Sequence, residues 1–159
     1  MRGQPRVGMW FLVGVVMLAL VVLGLRAVTG GSPRVAPSPM LAAAVPVDEA
    51  GLRAFARTPA AIVAGQAIFA GLCWNCHGRL GEGTATGPNL RDDWWLGGND
   101  MTDLVAVIRN GRPGTAMQAM ASYYTPDQIA AVAAYVVSLK GTSGGNGKVP
   151  EGTLKPIAW

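Results

Sequence analysis

Cys73, Cys76 and His77 are the residues whose types and spacing could do chemistry. They stand in the run Cys73-Trp74-Asn75-Cys76-His77, and the sequence holds no other cysteine or histidine. Two thiols at this spacing can form thioethers with the two vinyl groups of one haem, and the next residue places an imidazole on the iron. The pattern therefore predicts one covalently bound haem c and a protein that handles single electrons.

Other uses of the same residues meet their requirements poorly. A structural zinc site needs about four Cys or His ligands, and this sequence offers three. A thioredoxin-like dithiol would follow a strand in a βαβ pattern, which the sequence does not display. A plain disulfide would leave His77 without a role.

The N-terminal segment predicts a membrane anchor. Val7 to Leu25 is a run of 19 residues without a charge. As a helix it would span roughly 28 Å, close to the thickness of the hydrocarbon layer of a bilayer. A cleavable signal peptide is the alternative, but its apolar core is normally shorter, about 7 to 15 residues. We expect residues 1–28 to be an uncleaved single-pass anchor.

The net charge of +4 does not indicate a nucleic-acid partner. Residues 1–46 contain four arginines and no acidic residue, so the whole excess belongs to the anchor and the segment after it. Residues 47–159 contain nine basic and nine acidic residues. No basic surface is therefore expected on the folded part.

Composition divides the rest of the chain into three parts. Residues 29–46 are rich in Pro, Ala, Gly and Ser and predict a linker. Residues 47–141 are expected to form one small domain. Residues 142–159, rich in Gly and Ser at first, predict a flexible tail, or one that docks on a neighbouring subunit through Lys155, Ile157 and Trp159.

Cap signals predict three helices in this domain. Thr58-Pro59 can open a helix that runs into the cysteine motif. Thr102 can cap a second helix that ends at Asn110-Gly111. Thr125 with Gln128 forms a capping box for a third helix, which is expected to stop at Gly141. With no alternating β-branched run, the domain is predicted to be all-α.

Residues 58–141 resemble a class I cytochrome c. Gly65 and Phe69 match the small and aromatic pair with which that family packs its first helix on an aromatic residue of the last helix, here Tyr135. Gly87-Pro88-Asn89-Leu90 is similar to the family's G-P-x-L segment. The resemblance implies that the carbonyl of Pro88 accepts a hydrogen bond from the haem-ligating His77 and that Leu90 packs on the haem ring.

The same resemblance implies the second axial ligand. Gly114-Thr115-Ala116-Met117-Gln118-Ala119-Met120 is similar to the family's G-x-M-P-A-[FW] segment and assigns iron ligation to Met117. Gln118 replaces the usual proline, and Met120 is the alternative ligand. The resemblance also suggests that one indole of the pair Trp94 and Trp95 lies against the haem edge or donates to a propionate; core packing is the alternative. Arg112 is either a propionate partner or a solvated arginine.

A narrower resemblance concerns the cytochrome subunit of cbb-type haem–copper oxidases. It rests on Pro88-Asn89-Leu90, on Asp93-Trp94-Trp95-Leu96 and on Asn110-Gly111-Arg112 with Met117. Such subunits are membrane-anchored and often carry two haem motifs, whereas this sequence carries one. Haem attachment of this kind occurs outside the cytoplasmic membrane of bacteria. The resemblance thus implies an inner-membrane protein with a periplasmic haem domain.

These observations predict an electron-transfer protein without catalytic activity of its own. Its expected place is a respiratory chain, as a subunit of, or donor to, a terminal oxidase or a quinol-oxidising complex. The alternative is a haem sensor or peroxidase-like enzyme, in which the loop containing Gln118 lets the methionine leave the iron.

Overall fold

The computed structural model describes residues 46–98 and 100–154. The predicted anchor over residues 7–25, most of the predicted linker, and Lys155, Ile157 and Trp159 lie outside the described residues. The order of helices is α1 Glu49–Ala56, α2 Pro59–Ile68, α3 Trp74–His77, α4 Met101–Asn110 and α5 Pro126–Ser138. A π-helical turn, Phe69–Cys73, joins α2 to α3, and a 3-10 turn, Met120–Ser122, precedes α5.

The helix that ends in the cysteine motif begins at the predicted cap. The hydroxyl of Thr58 accepts a hydrogen bond from the backbone N–H of Ala61 at 3.3 Å, and Pro59 occupies the first helical position. From there the chain stays helical to His77. Among the described residues, Pro59–His77 is the only helix long and apolar enough to cross a membrane by length and composition. Its first part, α2, packs along α5 through the buried residues Ala61 and Gly65.

The crossing of α2 over α5 forms the centre of the domain. A Cβ atom on Gly65 would lie 2.0 Å from the carbonyl oxygen of Ala131, so only glycine permits this close approach. One turn later, the rings of Phe69 and Tyr135 meet edge to face with centroids 5.2 Å apart. The predicted packing of Gly65 and Phe69 against Tyr135 is confirmed.

The last helix is buried over most of its length. Thr125 and Gln128 form the predicted capping box, since each side chain bonds to the backbone of the other. Eight consecutive residues of α5, Ile129–Val136, are buried. The helix ends at Ser138, three residues before the predicted stop at Gly141. It is therefore the element on which the other helices pack.

The second predicted helix has a different cap. Asp100, not Thr102, is the N-cap of α4: its carboxylate accepts from the N–H of Asp103 and from the hydroxyl of Thr102, both at 2.7 Å. The carboxylate competes better than the hydroxyl because it is a charged acceptor. The helix ends before Gly111, as predicted, and Met101 is fully buried.

Helix α1 has no counterpart in the sequence predictions. Asp48 caps it by accepting from the N–H of Gly51 at 2.8 Å. Its Leu52 and Ala56 are buried in the common core. A carboxylate oxygen of Glu49 accepts from the N–H of Thr102 at 2.9 Å and so joins α1 to the start of α4.

The all-α prediction needs a correction, because the domain is mostly helical but also contains one short pair of strands. Strand β1, Trp94–Trp95, pairs antiparallel with β2, Thr153–Leu154. The sequence did not predict this pair because each strand has only two residues and its partner lies far along the chain. Residues 142–154, predicted as a flexible or partner-docking tail, here lie against the domain, so the folded part extends beyond Gly141.

Candidate functional site: a cysteine and histidine motif beside a carbonyl

Cys73, Cys76 and His77 lie at the C-terminal end of the helix that begins at Pro59. Both cysteines are free thiols and half-buried, and His77 is half-buried as well. Burial raises the pKa of the Cys73 thiol and lowers the pKa of His77. The thiol is thus held protonated and the imidazole neutral, which is the form of histidine that binds a metal.

The imidazole of His77 is oriented by the backbone of a different segment. Its Nδ1 atom lies 3.1 Å from the carbonyl oxygen of Pro88. Because a carbonyl can only accept, Nδ1 carries the hydrogen, and the lone pair is left on Nε2. Gly87 permits the approach, since a Cβ atom there would lie 2.5 Å from the Cys76 carbonyl oxygen and 3.1 Å from Nδ1.

The loop between His77 and Leu90 is closed by further hydrogen bonds. The N–H of Gly83 donates to the His77 carbonyl, and the N–H of Leu90 donates to the Gly81 carbonyl, both at 2.7 Å. The hydroxyl of Thr84 donates to the carbonyl of Cys76 at 2.5 Å and accepts from the N–H of Gly87 at 3.4 Å. The motif and the segment bearing Pro88 are therefore fixed to each other.

The two candidate methionines have different surroundings. Met117 closes a turn in which its carbonyl accepts from the N–H of Arg112 at 2.9 Å and its N–H donates to the Thr115 hydroxyl at 3.2 Å. Met120 packs against the hydrophobic core. The setting of Met120 is that of a core residue, whereas Met117 is half-buried and is not part of that cluster.

Trp95 and Arg112 come together at one segment of the chain. An Arg112 nitrogen donates to the carbonyl of Leu96 at 3.0 Å, directly after Trp95. The Trp95 ring lies 4.2 Å from the Lys140 ammonium nitrogen. Its indole N–H is buried and has no acceptor within residues 46–98 and 100–154. A buried donor without an acceptor is costly, so this N–H fits a ligand that brings an acceptor such as a carboxylate.

These residues fit a haem. Two half-buried thiols, an imidazole with Nε2 free, and an unpaired buried indole N–H are the groups that would hold its vinyl groups, its iron and a propionate. Leu90 packs against the hydrophobic core, and its contact with the haem ring stays a prediction. Large apolar side chains near the motif, Leu72, Trp74 and Leu80, are exposed on the polypeptide. A helical domain with this arrangement defines the class: it is a c-type cytochrome domain.

Comparison with known proteins shows which cytochromes the domain resembles. Residues 60–136 match the family model for cytochrome C oxidase, cbb3-type, subunit III. Over 88 residues the chain is 38% identical to the Cbb3-type cytochrome c oxidase subunit CcoP of Rubrivivax gelatinosus, covering 55% of this chain and 29% of that protein. Over 87 residues it is 34% identical to the subunit FixP of Sinorhizobium medicae, covering 50% and 30%.

A solved structure agrees with the sequence comparison. Cytochrome cL of Methylophaga aminisulfidivorans superposes with a TM-score of 0.51 at 26% identity, covering 61% of this chain and 74% of that one. Residues 60–136 are thus similar in sequence to the cytochrome c domain of cbb3-type oxidase subunits. The chain spans about a third of the length of the curated relatives it matches, between 29% and 35%.

Three residues of the site were not predicted to be functional. Thr84 joins the motif to the loop, while Asn89 and Lys148 join the same loop to the C-terminal tail. Their partners lie between 8 and 66 positions away along the chain, and no local pattern marks them. Only the position of Asn89, inside the segment similar to G-P-x-L, pointed to this region.

Proposed function

We propose that this chain is a membrane-anchored cytochrome with one haem c that relays single electrons in a bacterial respiratory chain. Cys73 and Cys76 would hold the haem by thioethers, and His77 and Met117 would bind its iron. The bound haem would supply a one-electron couple between ferric and ferrous iron. The observation that carries the proposal is the hydrogen bond between His77 and Pro88, which leaves Nε2 free beside two thiols.

The chain's own residues would keep the site ready for electron transfer. The Pro88 carbonyl holds one ring orientation and one tautomer of His77. The turn between Arg112 and Met117 is closed by backbone hydrogen bonds, which favours a stable methionine ligand over one that leaves the iron. A site that rearranges little on gaining an electron suits a relay better than an enzyme that binds small ligands.

We place the protein in the inner membrane, with residues 7–25 as the anchor and the domain in the periplasm. The relatives named above are subunits of cbb3-type cytochrome c oxidase. Their similarity supports a role as a subunit of, or donor to, such a terminal oxidase, or to a quinol-oxidising complex. In this role the chain binds redox partner proteins and has no catalytic site of its own.

A ferric absorption spectrum tests the relay function. A low-spin haem with the methionine-to-iron charge-transfer band is expected, together with slow binding of carbon monoxide by the ferrous form. A high-spin ferric spectrum, with rapid binding of carbon monoxide after reduction to the ferrous form, would instead indicate a sensor or peroxidase-like enzyme. Extraction in mild detergent, followed by mass spectrometry of the chains that co-purify, tests the assignment to an oxidase complex.

A further inference from the structure

Residues 142–154 lie along the loop that carries Pro88, and we call this segment the strap. After α5 its first contact is with Arg91, whose guanidinium donates to the hydroxyl and the carbonyl of Thr142. Its last two described residues pair with β1, next to Leu96. Between these ends, the N–H of Lys148 donates to the carbonyl of Glu82 at 2.8 Å.

Asn89 connects the strap to the residue that orients His77. It directly follows Pro88 and is buried. Its amide nitrogen lies 3.3 Å from the Lys148 carbonyl oxygen and 3.5 Å from the Ser143 hydroxyl, and its amide oxygen accepts from the N–H of Arg91 at 2.9 Å. A buried amide that bonds in both directions fixes the backbone around it.

The same contacts bring a cation close to His77. A Cβ atom on Gly83 would lie 2.8 Å from the Cβ atom of Lys148, and the N–H of Gly83 donates to the His77 carbonyl. The Lys148 side chain is 29% exposed, so water screens its charge only in part.

A carboxylate lies next to this cation. Glu151 pairs with Lys148 at 2.6 Å, and its side chain is 39% exposed. A positive charge near the iron disfavours the ferric state, while a negative charge favours it. The two members of the pair therefore act in opposite directions on any redox centre bound by His77.

We propose that the strap is a tuning element of the haem site, in which Lys148 raises the reduction potential of the iron and Asn89 fixes Pro88 on His77. Asn89 would act as a positioning residue through Pro88, and Lys148 would act through its charge. The inference rests on the proposed function, since it requires a haem bound by His77. It adds a role for a segment that the cysteine motif and the methionine loop do not include.

Three variants of the full chain test the proposal by redox titration. K148Q should lower the midpoint potential, reducing the ratio of ferrous to ferric protein at a fixed potential by about twofold to fourfold. This is the effect of a unit charge about 10 Å away in a medium of high dielectric constant. E151Q should raise the potential, and K148R, which keeps the charge, should leave it unchanged.

If Lys148 and Glu151 had a purely structural role, the midpoint potentials of the variants would change in a different way. Loss of the ion pair alone would move K148Q and E151Q in the same direction, and a tail that does not act on the haem would move neither. Either result would overturn the proposal. Normal haem spectra with an unchanged potential would refute only the tuning role of the strap, whereas protein that carries no covalent haem would refute the proposed function.

Discussion

The Nδ1 atom of His77 lies 3.1 Å from the carbonyl oxygen of Pro88, eleven residues further along the chain. This hydrogen bond decides which imidazole nitrogen can bind a metal, because a carbonyl accepts but cannot donate. It also fixes the orientation of the His77 ring, which the cysteine and histidine motif alone would leave free to rotate. The loop that supplies the carbonyl is therefore as important as the motif.

The Thr84 hydroxyl should matter to that loop. Replacing Thr84 with Val keeps the shape but removes the donor to the Cys76 carbonyl and the acceptor for Gly87. We expect the free energy of unfolding to fall by about 1–3 kcal/mol, because a half-buried carbonyl loses its partner. Thr84→Ser, which keeps the hydroxyl, is the control. Equal stability of the Val and Ser variants in denaturant titrations would contradict this role.

The methionine assignment can be tested with a matched pair of variants. Met117→Leu should lower the reduction potential and let the ferrous form bind carbon monoxide rapidly, because the thioether ligand is lost. Met120→Leu conserves volume in the core and should keep the spectrum, with a stability change below about 1.5 kcal/mol. If the Met120 variant alone opened the sixth position, Met120 would be the ligand.

The crossing of α2 over α5 predicts that two nearby glycines differ in their tolerance of alanine: Gly65 in α2, and Gly71 in the π-helical turn that follows it. Gly65→Ala should destabilise the domain by about 1–3 kcal/mol, because the new methyl group meets the backbone of Ala131. At Gly71 a Cβ atom meets only the Tyr124 hydroxyl, at 3.1 Å. Gly71→Ala should thus range from neutral to about 1 kcal/mol stabilising. Thermal unfolding of both variants measures the difference, and similar melting temperatures would argue against the close crossing.

Low pH should lower the stability of the loop between His77 and Leu90, because it protonates Glu82. Hydrogen bonds from backbone N–H groups, first that of Glu82 itself and then that of Leu80 at 2.7 Å, hold the pKa of this carboxyl below its ordinary value, about 4.5. The stabilisation is thus complete above that pH and is lost as the pH falls through the lower pKa of the folded state. Glu82→Gln should be less stable at pH 7 and should approach the native protein in acid. A stability difference that stays constant from pH 7 to pH 3 would exclude this contribution.

Two helix starts were predictable because their signals are local, whereas the packing pair came from the family resemblance. Thr58 with Pro59 and Thr125 with Gln128 cap helices where the sequence placed them. Gly65, Phe69 and Tyr135 could be matched to each other through the family resemblance. A cap is a contact over three residues, so it depends little on the rest of the fold.

The parts that were missed depend on contacts between distant residues. Helix α1 is short, and it is stabilised by burial of Leu52 and Ala56 and by the bond from Thr102 to Glu49. Residues 142–154 read as flexible because they are rich in glycine, yet Asn89 and Arg91 bind them. The two-residue strands exist only because their chain segments meet. Composition and periodicity carry no information on such pairings.

Extraction of the purified protein with acidified acetone tests the central claim most directly. If Cys73 and Cys76 bind haem through thioethers, the colour will remain with the polypeptide and the intact mass will exceed that of the chain by one haem. A protein in which both cysteines are replaced by serine should lose its pigment in the same treatment. A colourless native protein, or pigment that leaves it in acidified acetone, would contradict the account.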